Sequence, residues 1–496
     1  MILKASTQVL FTFLLYSFCL STLQAQIHNT LELPLSIHSN GTAPDPSSIL
    51  DIKSSNKGLL IPRMTAVQRN NIANPATGLM VYVTSNDLFY YYDGSVWIPL
   101  AAQTGQPTTA SMWGVQPVRE NTQVIASDDG ANDEFGISVS ISEDYAIIGA
   151  PYDDSGGSDS GSAYIFKRNG NSWIQEAKLT ANDADIGDRF GFSVHISGSY
   201  AIVGAHEDDD KGFNSGSAYI FQRSGITWSL MTKLTAFDGA VSDNFGYSVS
   251  ISSSHAVIGA NADDDDAGSA YVFVRNSNVW GLEDKLTAND RTSDDYFGQS
   301  VAISGLYLVI GSYRDDDAGS DSGSAYVFSR VNNAWSQQAK LLPSDGAPSD
   351  AFGYSVAISG NTAVIGTWRD DDTGIGSGSA YVFSRSGTNW TEHAKLIAND
   401  GRAFDRFGFS VGIDGDNIVI GASHEDYNGI NSGSAYIYEG SGANWTQTAK
   451  LTANNGDVDD RFGRAVAVSG VYALIGAHFS DPVFTNSGSA YFFKKE

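Results

Sequence analysis

The sequence predicts an all-β chain: a seven-bladed β-propeller of four-stranded blades, closed by an N-terminal outer strand and preceded by a small N-terminal module. Three observations carry this. Phe-Gly recurs at Phe135, Phe190, Phe245, Phe297, Phe352, Phe407 and Phe462, in steps of 55, 55, 52, 55, 55 and 55 residues. Within each unit the apolar residues alternate with period two through four short runs separated by turn residues. The last unit stops after its third run, while an unmatched fourth run, residues 118–126, stands before the first unit. Sharing one blade between the two ends closes a ring without exposed sheet edges; an open solenoid has no need of a split unit.

Residues 1–25 read as a signal peptide. Lys4 supplies the positive start, residues 9–20 are apolar, and Ala25 is a small residue at the cleavage position. The apolar run is too short to span a bilayer, so export is expected, with no transmembrane segment in the mature chain. The single cysteine, Cys19, lies inside this segment, which excludes disulfides and thiol catalysis in the mature protein.

Residues 26–100 form a module of different texture. Gly78-Leu79-Met80-Val81-Tyr82-Val83 and Leu88-Phe89-Tyr90-Tyr91-Tyr92 read as strands, Asp93-Gly94 as a turn into Trp97-Ile98, and residues 65–72 as one short helix. With Leu50-Asp51-Ile52-Lys53 and residues 58–64, this stretch resembles a short module found on secreted bacterial surface and tail-fibre-like proteins, which implies a spacer or assembly element. Residues 101–117 are a linker, polar with Gly and Pro at its start.

From residue 118 to 496 the four runs of the first unit are 135–141, 145–149, 162–166 and 173–179, with Asn169-Gly170 as a hairpin turn before the fourth. A Trp opens that fourth run in every complete unit: Trp173, Trp228, Trp280, Trp335, Trp390 and Trp445. The only length change, in the third unit, falls between Gly259 and Gly268, so the loop joining strands two and three varies while the scaffold does not. Gln123-Val124 aligns with Lys178-Leu179, which places residues 118–126 as the outer strand of the last blade.

The first unit reads Phe135-Gly136, then Gly149-Ala150-Pro151. The others keep Phe-Gly with Gly204-Ala205, Gly259-Ala260, Gly311-Ser312, Gly366-Thr367, Gly421-Ala422 and Gly476-Ala477. This pattern resembles the FG-GAP repeat family, best known from the propellers of integrin α-subunits. The resemblance covers about three quarters of the chain and implies a propeller working outside the cell in adhesion or ligand binding. One departure matters: the family's Asp-x-Asp-x-Asp-Gly calcium loop between the first two strands has no room in connections such as Ile196-Ser197-Gly198-Ser199-Tyr200. That site is not carried over.

With 56 acids against 29 bases the net charge is -27, which excludes nucleic acid as a partner. Strand alternation puts the loops joining strands two and three on one face with the loops between blades, and both are acidic. The former supply the ligand-contact candidates Asp153, Asp154, Asp208, Asp209, Asp210, Asp264, Asp265, Asp315, Asp316, Asp370, Asp371, Glu425 and Asp426. The latter supply candidate metal ligands in pairs: Asp183 with Asp188, Asp238 with Asp243, Asp290 with Asp295, Asp345 with Asp350, and Asp400 with Asp405. Carboxylates and loop carbonyls suit Ca²⁺, which takes six to eight oxygens. Asp is equally a turn former that bonds local amides. Arg168, Arg223, Arg275, Arg330 and Arg385 recur on the opposite face.

The tryptophans read as packing within or between blades, with stacking on sugars as the alternative. His206, His424 and His478 sit on different blades and form no metal site. No nucleophile elbow, zinc-helix or P-loop motif is present, so the expectation is a non-enzyme. It is a secreted or cell-surface binding or adhesion module for an extracellular protein or glycan, with Ca²⁺ as the one cofactor the acids allow. A carbohydrate-active lyase or hydrolase at the central channel is the alternative, as is a pure display scaffold. Singular residues on one face point toward an enzyme, and repeated pockets toward multivalent binding.

Overall fold

The computed structural model describes residues 120–495 throughout and, before them, residues 35–38, 50–53 and parts of 62–100. The expected signal peptide, the linker and the Asp93-Gly94 turn lie outside the described residues. The chain divides into two compact units, Met1–Thr108 and Thr109–Glu496.

In the first unit Leu35–His38 pairs in parallel with Leu50–Lys53. Arg63–Met64, Met80–Val83, Leu88–Tyr92 and Trp97–Leu100 form a four-stranded sheet in that order, with Val81 and Val83 buried. Of the expected helix, Gln68 and Arg69 are helical, and residues 66, 67, 70 and 71 lie outside the described residues. The helix begins at a capping box, in which the Thr65 amide donates to Gln68 Oε1 at 2.9 Å and the Gln68 amide to Thr65 Oγ1 at 3.2 Å.

The second unit is all β: seven four-stranded sheets. The first blade consists of Ser138–Ser142, Tyr145–Ala150, Ser162–Asn169 and Ser172–Leu179, paired in sequence order. Five further blades repeat this. The seventh takes Ala465–Ser469, Tyr472–Ala477 and Ser489–Lys494 from the C-terminal end and Glu120–Val124 as its outer strand. In the closing pair Gln123 faces Tyr491 and Val124 faces Ala490, the register in which Lys178 faces Tyr164 and Leu179 faces Ala163. The split unit therefore closes the ring as the spacing predicts. The first strands of all seven blades line a central channel.

Both faces of each blade are covered, so second strands are buried along their length and read as near-continuous apolar runs. The cores lie between blades. Ile147 and Ile165 of the first blade pack on Val194, Ala201, Val203 and Tyr219 of the second. Trp228 meets Tyr145 of the preceding blade edge-to-face, and Trp173 stacks on Phe492 at 4.0 Å. The tryptophans are thus interblade packing.

Phe-Gly departs from expectation in an informative way. In the first blade the strand begins at Ser138, because the motif reaches back to the neighbouring blade: Phe135 bridges Gly488, as Phe190 bridges Gly161. Each Phe is fully buried, edge-on to the Tyr of Gly-Ser-Ala-Tyr. The arginines of the opposite face serve the same joints. Arg223 and Arg385 lie over Tyr145 and Tyr307 at 4.2 and 4.1 Å, within cation–π range.

Candidate binding face

The acids of the loop face divide into a buried set and an exposed set, and both are engaged by neighbouring groups. In the second blade Tyr219 donates its hydroxyl proton to Asp183 and Asp208, each at 2.9 Å. Lys233 then reaches both carboxylates, at 2.9 and 2.8 Å, and Asp210 at 2.6 Å. The set exists because strands three and four pair with Tyr opposite Lys, while the two acids close over them from the loops on either side. It recurs as Tyr164, Asp128, Asp153 and Lys178; Tyr271, Asp238, Asp263 and Lys285; and Tyr326, Asp290, Asp315 and Lys340. Tyr381 with Asp345, Asp370 and Lys395, and Tyr436 with Asp400, Glu425 and Lys450, complete six blades.

Burial raises the tyrosine hydroxyl of Tyr219 far above its usual range, and the carboxylates of Asp208 and Asp183 add to it. Burial alone would also raise Asp183, but Lys233 and the Tyr219 hydroxyl hold it below the ordinary carboxylate value. In the seventh blade every charge is gone. Gln123 stands for the lysine, Asn455 and Ser480 for the acids, and Tyr491 still bonds both Asn455 and Gln123 at 3.2 Å. Lys233→Met leaves Asp183 and Asp208 unpaired. It is expected to cost about 3 kcal/mol, the lower end for breaking a buried ion pair. Installing the whole neutral set, Asp183→Asn with Asp208→Ser and Lys233→Gln, is expected to restore most of that loss in calorimetric unfolding.

The remaining candidates are turn formers. Asp154, Asp209, Asp316, Asp371 and Asp426 are exposed, and each accepts the amide five residues on, at 2.7–2.9 Å. Asp264 pairs with Arg291 at 2.7 Å, and the Asp265 carbonyl accepts from Ser293. Asp264, Asp265 and Asp266 run consecutively through left-handed backbone, which is how the shortened third loop turns.

Asp188, Asp243, Asp295, Asp350 and Asp405 are buried and accept the amide three residues earlier at 2.6–2.8 Å. Among the described residues no three His, Cys, Asp or Glu side chains gather as a metal site. Burial, with repulsion from Asp263 behind it, pushes Asp243 up to about 6 despite its backbone bond. A carboxyl raised in the folded state binds its proton more tightly there, so its contribution to stability falls as pH rises through about 6. Asp243→Asn removes that term while keeping an acceptor oxygen. The melting temperature of the variant relative to wild type is therefore expected to increase between pH 5 and pH 7.

The singular residues of this face sit at its centre. Two positions per blade vary freely beside invariant neighbours. One precedes Phe-Gly (Glu134, Arg189, Asn244, Tyr296, Ala351, Arg406, Arg461) and holds left-handed φ of 54–61° in all seven blades. The other follows Phe-Gly and enters the channel mouth (Ile137, Phe192, Tyr247, Gln299, Tyr354, Phe409, Arg464). Residues after the Gly-Ala pair join them. Trp368 packs with Tyr354 and Phe409 at 5.7 and 6.0 Å between centroids, and Phe192 with His206 and Tyr247 at 4.1 and 5.1 Å. Arg189 pairs with Glu207 at 3.1 Å and bonds the Tyr152 hydroxyl. Burial raises Glu134 to about 7, although Arg464 and Arg189 pull it down. The acid periodicity drew the sequence reading to the rim. The signal for the mouth was the opposite, loss of repetition at fixed positions.

Residues 118–166, 173–221, 228–273, 280–328, 335–383, 390–438 and 445–493 match the FG-GAP repeat, and residues 37–111 match the phage tail like trimerisation region. No curated protein matches the chain. Among solved structures, the crystal structure of Saccharomyces cerevisiae Sqt1 aligns with a TM-score of 0.41 at 10% identity, covering 76% of this chain and 99% of that one.

Proposed function

The chain belongs to the FG-GAP repeat family, and from that premise we propose that it is a secreted, non-enzymatic binding module. In this reading it engages an extracellular glycan or protein through the central mouth of its loop face. The observation that supports the mouth over the acidic rim is the division of labour between them. Rim acids are occupied by tyrosines, lysines and turn amides in blade after blade, whereas the mouth carries aromatic and arginine side chains that differ from blade to blade. Recognition of one ligand, whether to hold it or to act on it, needs that individuality, and a fold does not. The first unit, through its match to a trimerisation region, would gather three propellers and multiply weak contacts by avidity.

The test is a glycan array probed with the full chain, wild type against Trp368→Ala and against the exposed-rim variant Asp209→Asn with Asp316→Asn. Signal lost in the first and kept in the second supports the mouth. Signal lost only in the rim variant moves the site, and no signal from wild type removes glycan from the reading. One observation favours a second reading. Glu134, a singular carboxyl raised to about 7 at the channel mouth, has the protonation a general acid needs at neutral pH. Release of new reducing ends or unsaturated sugars by wild type, abolished in Glu134→Gln, would establish a carbohydrate-active enzyme instead.

A further inference from the structure

We infer that the mouth over the fifth to seventh blades takes an anionic glycan, its carboxylate or sulfate held by Arg369, Arg406, Arg461 and Arg464. This rests on the binding-module reading and names the ligand class of that site.

The inference starts from charge pairing. In a chain of net charge -27, the other mouth arginines have acids: Arg189 has Glu207 and Arg314 has Asp321. The six lysines of the tyrosine sets are paired as well. Among the described residues Arg369, Arg406, Arg461 and Arg464 have no carboxylate within ion-pair distance. Arg461 instead meets His424 Nε2 at 2.8 Å. Arg406 is half-buried, and burial with repulsion from Arg461 lowers its pKa. The same cluster, added to burial, drives His424 down to about 3 and His478 well below its ordinary value. Both imidazoles are therefore neutral and leave the positive charge to the guanidinium groups.

Aromatic rings hold these groups in place. Arg369 and Arg406 lie over Trp368 at 4.4 and 4.8 Å, Arg464 over Phe409 at 4.8 Å and Arg461 over Phe479 at 5.5 Å. A guanidinium stacked by its face still presents its N–H edge, the geometry that takes a carboxylate or sulfate in bidentate fashion. Two buried donors here, Trp368 Nε1 and Arg461 Nε, have no hydrogen-bond partner, as is also the case for Nε of Arg223 and Arg385 at the packed joints of the opposite face.

Beside them lies a cavity of about 350 Å³, between the loops at Pro348, Ile375 and Phe404, with Trp368, Arg369 and Arg406 in its wall together with Asp350 and Asp371. That volume is at the small end of ligand sites and suits one or two sugar rings. The two acids each accept a turn amide at 2.7 Å, and the rest of the wall, apolar with arginine, matches a pyranose that is apolar on its C–H face and carries a single charge. The surrounding acids repel densely charged chains such as nucleic acid or acidic peptide, and tolerate a polymer with one charge per ring.

Calorimetric titration of the full chain tests this with four probes: oligogalacturonate, a sulfated dextran oligosaccharide, neutral maltooligosaccharide and poly-glutamate. We expect one or both anionic glycans to bind. Affinity should fall at least tenfold in Arg406→Gln and in Arg464→Gln, stay unchanged in Lys167→Gln on the opposite face, and weaken as salt rises. Preference between the first two probes tells carboxylate from sulfate. Melting curves of each variant separate lost contact from lost fold; if Arg406→Gln unfolds, Arg464→Gln and the salt dependence carry the test. Neutral sugar bound as well as charged, with both arginine variants unaffected, overturns the anionic assignment while leaving the binding-module reading intact. Tighter binding of poly-glutamate overturns the glycan. An array with no signal from wild type removes glycan from the broader reading, independently of the arginines.

Discussion

Gly204→Ala is expected to unfold the propeller or cost more than about 4 kcal/mol, beyond the range of ordinary substitutions. Gly204 is the penultimate residue of the second strand Tyr200–Ala205, and its Cα faces the Phe-Gly backbone of the next blade. A Cβ there would stand 2.0 Å from the Gly246 carbonyl oxygen and 2.3 Å from Ser193 Oγ. Neither can retreat easily: the Gly246 carbonyl accepts from Ser193 Oγ at 2.7 Å, and the neighbouring Phe245 amide donates to the Ser215 carbonyl of the same blade at 3.0 Å. The comparison is Gly198→Ala in a two-residue hairpin, at φ +58° with nothing within 4 Å of the new carbon. Only the left-handed backbone resists there, at about 1 kcal/mol. Thermal unfolding of the two variants side by side separates contact between blades from conformational preference. Equal losses would mean that the blades can move apart to admit a methyl group.

Deleting residues 118–126 from the full chain is expected to abolish the monodisperse propeller. The deletion strips the outer strand from Ser489–Lys494 and removes Val124 and Ala126 from the core shared by the seventh and first blades. It also leaves a bare edge, ready to pair with another chain. We expect aggregates in size-exclusion chromatography and a cooperative melt lost or lowered by more than about 10 °C, well beyond the few degrees that 1 kcal/mol moves a large domain. A synthetic peptide of residues 118–126 should restore the melt when added in excess. Unchanged melting and elution without the peptide would show that six complete blades hold the ring unaided.

Repetition decides what this sequence discloses. Phe-Gly, Gly-Ser-Ala-Tyr and the split last unit occur in one register, so the closing strand could be placed to the residue, and Gln123 does face Tyr491. The lysine sets were equally accessible. A Lys stands five residues after every Trp of the fourth strands, and Gln123, Asn455 and Ser480 change together in the unit that lacks it. Seeing them required the cross-strand register, including the bulge that shifts strands three and four past each other. The mouth is another matter. Trp368, Arg406 and Arg464 come from three blades and carry no period, and only the closed ring brings them to one place. Positions released from the repeat leave no rhythm in the chain.

The neutral set of the seventh blade bears on how the ring withstands its surroundings. The polypeptide enters the propeller at Glu120, and hence at the clasp between Glu120–Val124 and Ser489–Lys494. In the other six blades the corresponding joint is an ion pair, which acid neutralises and salt screens where it is exposed. At the clasp, Gln123, Asn455 and Tyr491 bond without charge. The one seam made of two distant stretches of chain is thus joined at this position by uncharged groups, and the ion-paired joints, which salt and acid weaken, lie where the polypeptide is continuous.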